Sequence, residues 1–229
     1  MSALSRPRRR ARGRLWLAEP QPLPEPAPRP LRVGLLGGSF NPAHEGHLYV
    51  SREALRRLGL DRVWWIVSPQ NPLKSPEELA PFEKRLMWAR RVAAAEPRIV
   101  VSDIEVRLGT RYTVDTLRRL VADRRYRFVL IIGADNLAQF HRWRHWQRIF
   151  AMVPVAVFER APYSYSALAG QAAHRFSGAR VGEREARRLA ELDPPRWVFV
   201  RLRPHPASAT AIRERLRRMG RDWSREFEP

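Results

Sequence analysis

The feature that most constrains the fold is a regular alternation of short apolar runs with segments of helical periodicity. The runs LRVGLLG from Leu31, RVWWIVS from Arg62 and YRFVLIIG from Tyr126 are almost wholly apolar, which predicts strands covered on both faces. The helices predicted between the strands cover residues 46–58, 82–95, 113–122, 141–150, 183–192 and 209–219. This order predicts a single α/β domain with a doubly wound, mostly parallel sheet and helices on both faces.

The composition excludes several classes of protein. The chain has 229 residues, 44% of them hydrophobic, which is enough for one sizeable core. It contains no cysteine, so disulfides, thiolate zinc sites and a cysteine nucleophile are excluded. No apolar run is long enough to cross a membrane, and the basic N-terminus is not followed by the apolar segment of a secretory signal. We therefore expect a cytoplasmic protein with no membrane partner.

The net charge of +20 has two interpretations. An excess of basic residues favours an anionic partner, such as nucleic acid, a membrane surface or a phosphorylated substrate. The alternative is the arginine preference of a GC-rich genome, since Lys74 and Lys84 are the only lysines in the chain. We favour the second interpretation for the total charge, so a nucleic-acid partner is not expected.

The first thirty residues differ from the rest of the chain. They contain a basic block, RPRRRARGR, and a proline run of polyproline type, PQPLPEPAPRP. Neither composition can bury a core. The sequence therefore predicts a disordered basic, proline-rich arm over residues 1–30 and one folded domain over residues 31–229.

The stretch GGSFNPAHEGH, from Gly37 to His47, directly follows the first predicted strand. Gly37 and Gly38 allow a sharp turn and a close approach of an anion to the backbone amides. His44 and His47 are three residues apart at the entry to a helix, so both rings can face one side. The positive end of the helix dipole adds to them. The stretch therefore predicts an anion site at the carboxyl end of a strand.

A metal site and two other phosphate loops fit this stretch less well. The histidine spacing is compatible with a metal ion, but no third ligand is close by and cysteine is absent. The dinucleotide pattern G-x-G-x-x-G and the G-K-[S/T] ending of a P-loop are not matched either. We therefore expect no metal ion held by these side chains.

The stretch matches G-x-F-x-P-x-H-x-G-H, the motif of the HIGH-superfamily nucleotidyltransferases, at every defined position. A second motif of that superfamily, I-S-[S/A]-T-x-I-R, resembles residues 207–213, with Ala207 in place of the leading isoleucine. The resemblance implies a Rossmann-like nucleotidyltransferase domain. The implied ATP and phosphate contacts of the two motifs are Gly37, Gly38, Ser39, Phe40, Ser208 and Thr210, and the implied catalytic donors are His44, His47 and Arg213. The hydroxyls of the second motif are alternatively caps of the last helix.

The middle of the chain resembles the bacterial nicotinate-nucleotide adenylyltransferases, and the resemblance extends over about residues 31–219. The matching stretches are RYTVDTL from Arg111, IIGADNL from Ile131 and FHRW from Phe140. Where that family often has P-P-H-[K/R], this chain has NPLK, so Lys74 alone is carried over as a catalytic cation. The C-terminal GRDWSREFEP also departs from the apolar helix ending of relatives, which predicts shortened or different terminal packing.

The same resemblance implies contacts with both substrates. Trp143 would stack on the pyridine ring, and Thr113 would bind the nicotinate carboxylate with help from backbone amides near Trp143 and Arg144. Asp135 would hold a hydroxyl group of ATP, and Arg160 would approach the nucleotide. Each residue type also has a structural explanation: packing for a tryptophan, and helix capping for Thr113 and Asp135.

The implied reaction transfers the adenylyl group of ATP to nicotinate mononucleotide and yields nicotinate adenine dinucleotide and pyrophosphate, a step of NAD biosynthesis. Mg²⁺ is implied as the companion of ATP, held mainly by phosphate and water. Nicotinamide mononucleotide is the nearest alternative acceptor. A class I aminoacyl-tRNA synthetase would need a K-M-S-K-S-like loop, for which the lysines are missing. A basic nucleic-acid-binding protein is the alternative from another class, and a homo-oligomer is left open.

Overall fold

The computed structural model describes residues 29–70, 79–160 and 162–220. The predictions made for the arm up to residue 28, for Lys74 and for residues 221–229 lie outside the described residues. The strands of the described chain are β1 (Leu31–Gly38), β2 (Arg62–Val67), β3 (Ile99–Ser102), β4 (Tyr126–Gly133), β5 (Val155–Phe158), β6 (Arg180–Val181) and β7 (Trp197–Val200).

These strands form one seven-stranded sheet in the order β3–β2–β1–β4–β5–β7–β6. Every strand pair in it is parallel. All four residues of β5 and of β7 are buried, as expected of strands that are apolar on both faces. The predicted α/β class with a doubly wound sheet is confirmed.

The α-helices of the described residues lie between and after the strands. They are α1 (Glu45–Arg57), α2 (Phe82–Ala93), α3 (Ile104–Leu108), α4 (Thr113–Leu120), α5 (Ala134–Ala138), α6 (Trp146–Met152), α7 (Ser164–Leu168), α8 (Gln171–Arg175) and α9 (Ala209–Arg218). Within the described residues, 3-10 helices cover Phe140–Arg142, Ser177–Ala179 and Glu183–Glu191.

Two predicted helices differ from the structure. The segment 141–150 is not one helix, because His145 adopts φ 49° and separates a 3-10 turn from α6. The segment 183–192 is helical but of the tighter 3-10 type. The short helices α3, α5, α7 and α8 were not expected, since five residues are too few to show a helical period.

The sheet divides the buried side chains into two clusters. On β1, Val33 and Leu35 belong to one cluster and Leu36 to the other, because successive side chains of a strand point to opposite faces. The cluster of Leu36, called the first cluster here, contains Leu48 and Leu55 of α1 together with side chains of α2 and of the 3-10 helix 183–191. The second cluster contains side chains of α4, α5 and α6. Helices therefore cover both faces, as predicted.

The order of the strands reverses between β1 and β4. The chain leaves β1 toward β2 and β3 on one side, and β4 leads to β5, β7 and β6 on the other. Such a switch point leaves a crevice beyond the carboxyl ends of the two strands, where open parallel sheets bind their ligands. Gly38 ends β1 and Gly133 ends β4, so the predicted site residues that follow them meet at this edge.

Candidate active site

The loop after β1 borders open space. Gly37 is exposed, and a Cβ atom built on it would have no atom within 4 Å. A Cβ on Gly38 would lie 3.3 Å from the ring of Phe40, which itself takes φ 47°. The sharp turn predicted at the glycine pair lies instead at Phe40, because Gly37 and Gly38 still belong to β1 and neither has a positive φ. The absence of side chains on them leaves the outer side of the strand end accessible to a large ligand.

The two motif histidines are connected by backbone hydrogen bonds and by contact of their rings at the first turn of α1. His44 is the N-cap residue, and its Nδ1 accepts a hydrogen bond from the Gly46 amide at 3.0 Å. The Nδ1 of His47 accepts one from the His44 amide at 3.2 Å. The ring centroids lie 4.0 Å apart. Because a neutral imidazole carries one proton, both rings keep it on Nε2 and present an N–H donor there.

His44 acts as a donor in its neutral form. The pKa of His44 is lowered to about 4, mainly by burial and to a smaller extent by the charges of Arg160 and His205. At neutral pH the ring is therefore uncharged, so the positive charge expected of it must come from neighbouring arginines. The dependence on Arg160 also shows that the loop after β5 approaches the first motif.

Two aromatic rings and a hydrogen-bonded hydroxyl fix the position of His47. It lies 4.8 Å from the ring of Phe40 and 5.9 Å from that of Trp65, measured between centroids. The indole N–H of Trp65 donates to Ser51 Oγ at 2.7 Å, and that hydroxyl donates to the His47 carbonyl at 2.8 Å. These contacts fix the ring and its backbone together, which is the preorganisation that a phosphate site needs.

The second motif docks onto the first. Arg213 donates from Nη1 to the Asn41 carbonyl at 2.6 Å and from Nη2 to Thr210 Oγ1 at 3.4 Å. A Cβ on Gly46 would come within 3.0 Å of the Ala207 carbonyl and within 2.8 Å of the His44 ring. The glycine of the first motif therefore allows the start of α1 to touch the second motif.

The hydroxyls of the second motif have different surroundings. Ser208 is the N-cap of α9 and accepts the Ala211 amide at 3.1 Å, so the capping alternative describes this residue. Its hydroxyl proton remains available for a further acceptor. Thr210 is exposed in the first turn of the same helix.

Asp135 and Arg160 form an ion pair at the edge of β4 and β5. Arg160 Nη1 lies 3.0 Å from Asp135 Oδ2. Asp135 lies in the first turn of α5, whose N-cap is Gly133, so Asp135 is not a capping residue. The other carboxylate oxygen, Oδ1, is buried and has no hydrogen-bond partner. The pair thus leaves one acceptor without a protein donor.

The residues expected around the pyridine ring form a second group. Trp143 is half-buried and stacks on Phe140, with centroids 4.7 Å apart. The guanidinium of Arg144 lies 4.7 Å above the ring of Tyr112. Tyr112 is the N-cap of α4 and caps with no side-chain bond, so Thr113, the first helical residue, is not the cap. Arg144 therefore joins the Trp143 segment to the start of α4.

Unsatisfied buried polar atoms concentrate at these positions. Among the described residues, five buried side-chain nitrogen or oxygen atoms have no partner: Arg32 Nε, Ser39 Oγ, Glu105 Oε2, Asp135 Oδ1 and Trp143 Nε1. Three of the five belong to predicted site residues. Buried polar groups are normally hydrogen-bonded, so orphaned ones in a crevice point to a missing ligand.

Sequence reasoning missed a buried arginine that organises the crevice. Arg85 of α2 is 1% exposed and donates to four backbone carbonyls. They are the carbonyls of Ser39 (2.7 Å), Ser68 (2.7 Å), Pro69 (2.9 Å) and Ala80 (2.9 Å). The helical spacing of Arg85 with the buried Trp88 and Ala89 could have placed it on the apolar face of α2.

A buried carboxyl group near α4 was missed as well. Glu105 of α3 is 8% exposed, and its Oε1 accepts from Thr116 at 3.4 Å. Burial raises the pKa of Glu105 to about 7, although hydrogen bonds from Ser68 and Thr116 oppose the shift. No sequence pattern marked this residue, because its surroundings come from three separate elements.

Within the described ranges, no group of three or more histidine and acidic side chains is arranged to hold a metal ion. None of the helices in the described part of the chain is both long and apolar enough to span a bilayer.

Comparison with known proteins gives a consistent assignment. The family model of cytidylyltransferase-like proteins matches residues 35–215. A Methylorubrum extorquens protein named "Probable nicotinate-nucleotide adenylyltransferase" is 50% identical over 186 residues, covering 81% of this chain and 100% of that protein. A Parvibaculum lavamentivorans protein of the same name is 52% identical, covering 81% of this chain and 92% of its own length.

A solved structure shares the fold. It is the Plasmodium falciparum nicotinic acid mononucleotide adenylyltransferase complexed with NaAD, with a TM-score of 0.60 and 16% identity. The match covers 80% of this chain and 83% of the Plasmodium chain. The sequence relatives, at half their residues identical over nearly their whole length, decide the family. The chain therefore belongs to the nicotinate-nucleotide adenylyltransferases, within the cytidylyltransferase-like proteins.

Proposed function

We propose that this chain transfers the adenylyl group of ATP to nicotinate mononucleotide, which yields nicotinate adenine dinucleotide and pyrophosphate in NAD biosynthesis. The observation that carries the proposal is the docking of the second motif on the first. Arg213 reaches the Asn41 carbonyl, and Ala207 lies against Gly46, so two segments far apart in sequence complete one anion site at the switch point.

The reaction needs positioning more than proton transfer. A phosphate oxygen of the mononucleotide attacks the α-phosphorus of ATP, and the bond from that phosphorus to the bridging oxygen of pyrophosphate breaks. The nucleophile is already an anion, so no general base is required. The difficulty is to bring two polyanions together and to stabilise the charge that develops on the transferred and leaving groups.

Imidazole N–H donors and permanently charged side chains both contribute to stabilising this charge. His44 and His47 offer Nε2–H donors at the start of α1, where the helix dipole also favours phosphate. Arg213 supplies permanent positive charge, and we assign the same role to Lys74. The amides of the loop from Gly37 to Phe40, with the hydroxyls of Ser39, Ser208 and Thr210, complete the phosphate contacts in this proposal.

The two nucleotides occupy different halves of the crevice. The free Oδ1 acceptor of Asp135 suits a ribose hydroxyl of ATP, and Arg160 stands beside it. On the other side, Trp143 offers an aromatic surface for the pyridine ring. The Thr113 hydroxyl, with backbone amides near Trp143 and Arg144, suits the nicotinate carboxylate.

Mg²⁺ would accompany ATP rather than reside in the protein. Asp135 is paired with Arg160, and the described residues offer no group of three acidic or histidine side chains arranged to hold the ion. Phosphate oxygens and water are suitable ligands, and the ion would neutralise charge on the triphosphate. Both substrates are nucleotides of the cytoplasm, which is where we place the reaction.

The test is pyrophosphate release from Mg-ATP with nicotinate mononucleotide, nicotinamide mononucleotide or phosphopantetheine as acceptor. We expect the nicotinate acceptor to be preferred, and His47→Ala to lower kcat by about 10²–10³, as removal of one oxyanion donor does. His174→Ala, an exposed histidine of α8, is the matched control and should retain wild-type turnover.

A different result would change the assignment. Preference for the amide acceptor would move the chain to nicotinamide-mononucleotide adenylyltransferase. No turnover with any acceptor, together with salt-sensitive nucleic-acid binding that survives His47→Ala, would support a nucleic-acid-binding protein instead.

A further inference from the structure

A third imidazole lies against the helix that carries the motif histidines. His205 belongs to the segment between β7 and α9. Its ring stacks on that of Tyr49, with centroids 5.3 Å apart and an interplanar angle of 26°. Tyr49 follows Gly46 by three residues on α1, so the two residues share one face of the helix and the stacking places His205 on the face that carries Gly46.

The ring of His205 is held in the same way as the other two. Its Nδ1 accepts a hydrogen bond from the amide of Ala207 at 3.2 Å. The Nδ1 atoms of His44 and His47 likewise accept backbone amides, at 3.0 Å and 3.2 Å. An imidazole whose Nδ1 accepts a hydrogen bond has its N–H on Nε2, directed away from its own backbone. All three rings therefore present the same kind of donor.

Two further observations bring His205 close to His44. The carbonyl of Ala207, two residues after His205, would lie 3.0 Å from a Cβ on Gly46, so this segment packs on the first turn of α1. The same Cβ atom would lie 2.8 Å from the ring of His44, so this ring and the segment that carries His205 border the same point of α1.

We propose that His205 is a third histidine ligand of the triphosphate and donates Nε2–H to the pyrophosphate end of ATP. The inference rests on the proposed function and adds a residue that neither motif includes. His205 is exposed, whereas His44 and His47 are half-buried. It therefore stands at the outer rim of the site, where the terminal phosphates extend toward solvent.

The reverse reaction isolates this contact, because pyrophosphate is then a separate substrate. In that direction a pyrophosphate oxygen attacks the adenylyl phosphorus of nicotinate adenine dinucleotide, and the bond to the mononucleotide phosphate breaks. We compare the wild type with His205→Phe, which keeps a ring against Tyr49 but lacks the donor, and with His205→Gln, which keeps an N–H donor. His174→Phe is the control for an exposed histidine elsewhere.

We expect His205→Phe to raise the KM for pyrophosphate about 10-fold, the effect of losing one hydrogen bond to a charged group. The KM for the dinucleotide should stay unchanged, and His205→Gln should recover part of the loss. An unchanged KM for pyrophosphate in His205→Phe, or an equal rise in both KM values, would overturn the proposal and leave His205 as a packing residue.

A direct measurement of pyrophosphate binding tests this inference independently of the proposed function. Titration calorimetry with Mg-pyrophosphate should show the same weakening of about 10-fold in His205→Phe, whichever acceptor the enzyme uses. If the wild type fails to turn over nicotinate substrates, the proposed function fails while the calorimetric difference still supports the contact. Equal pyrophosphate affinity in both proteins would refute the contact alone.

Discussion

His44 and His47 are prepared as hydrogen-bond donors by the backbone around them. Each Nδ1 is occupied by an amide of the same turn, and burial keeps His44 neutral at physiological pH. The sequence predicted the anion site and the pair, since the motif is contiguous. It could not predict the neutral state of His44, because the burial that lowers its pKa, and the smaller effects of Arg160 and His205, arise only in the folded chain.

A substitution of Gly46, the glycine between the two histidines, tests whether its close contacts with His44 and Ala207 matter for catalysis. Gly46→Ala would place a methyl group within 2.8 Å of the His44 ring and 3.0 Å of the Ala207 carbonyl. Because the ring must move away, we expect kcat to fall by about 10² or more, comparable to losing an oxyanion donor. Steady-state pyrophosphate release measures it.

Gly178→Ala is the matched control, since a Cβ there would meet nothing within 4 Å. It should retain wild-type turnover. If Gly46→Ala also keeps full activity with an unchanged circular dichroism spectrum, the contact between the first motif and Ala207 is not needed for catalysis.

At the scale of elements, one side chain of α2 fixes the ends of two strands. Arg85 binds the carbonyl of Ser39 just beyond β1 and those of Ser68 and Pro69 just beyond β2. A carbonyl and the following amide point in opposite directions in a trans peptide. The Ser39 carbonyl faces Arg85, so the amide of Phe40 faces the other way. Arg85 therefore orients the loop without reaching a substrate itself.

Arg85→Lys tests this role because it keeps the charge. A lysine ammonium cannot reach four carbonyls arranged around a planar guanidinium, so some of them lose their partner. We expect the free energy of unfolding to fall by about 2–3 kcal/mol, the cost of leaving buried acceptors unsatisfied. Urea denaturation measures it, with Arg90→Lys on the exposed face of α2 as the control. A loss below that of Arg90→Lys would contradict the role.

The elements show what a sequence can and cannot specify. The long strands and α1, α2, α4 and α9 follow from apolar periodicity and were predicted within a few residues. The residue types of the segment 141–150 predict one helix. A left-handed φ at His145 interrupts it, and Trp143 and Trp146 on either side of this break pack onto the core, a tertiary contact that periodicity does not reveal.

At the scale of the whole molecule, two pKa shifts of opposite sign act on stability. The pKa of His44 is lowered to about 4 from its ordinary 6.5, so the unfolded chain binds the extra proton below pH 6.5 and the free energy of unfolding rises with pH up to there. The pKa of Glu105 is raised to about 7 from 4.5. Here the folded chain binds the extra proton, and the free energy of unfolding falls between these values.

Removing one of the two groups by substitution should leave the pH dependence of the free energy of unfolding that the other group causes. Where the windows overlap, from about pH 4.5 to 6.5, the two contributions oppose each other in the wild type. In Glu105→Gln the free energy of unfolding should rise by about 2 kcal/mol across this range, and in His44→Gln it should fall by about the same amount. Urea denaturation at half-unit pH steps measures both, with the exposed Glu214→Gln as control. Parallel profiles in all four proteins would disprove the assignment.

The division of the interior by the sheet lets the two halves of the crevice evolve separately. The first cluster lies behind Phe40 and Trp65, which contact His47 of the proposed phosphate site, and the second lies behind Phe140 and Trp143, where we propose that the pyridine ring binds. Effects of substitutions in such separated regions are close to additive. A lineage can therefore remodel its choice of acceptor through the second cluster while inheriting the transfer chemistry of the first unaltered.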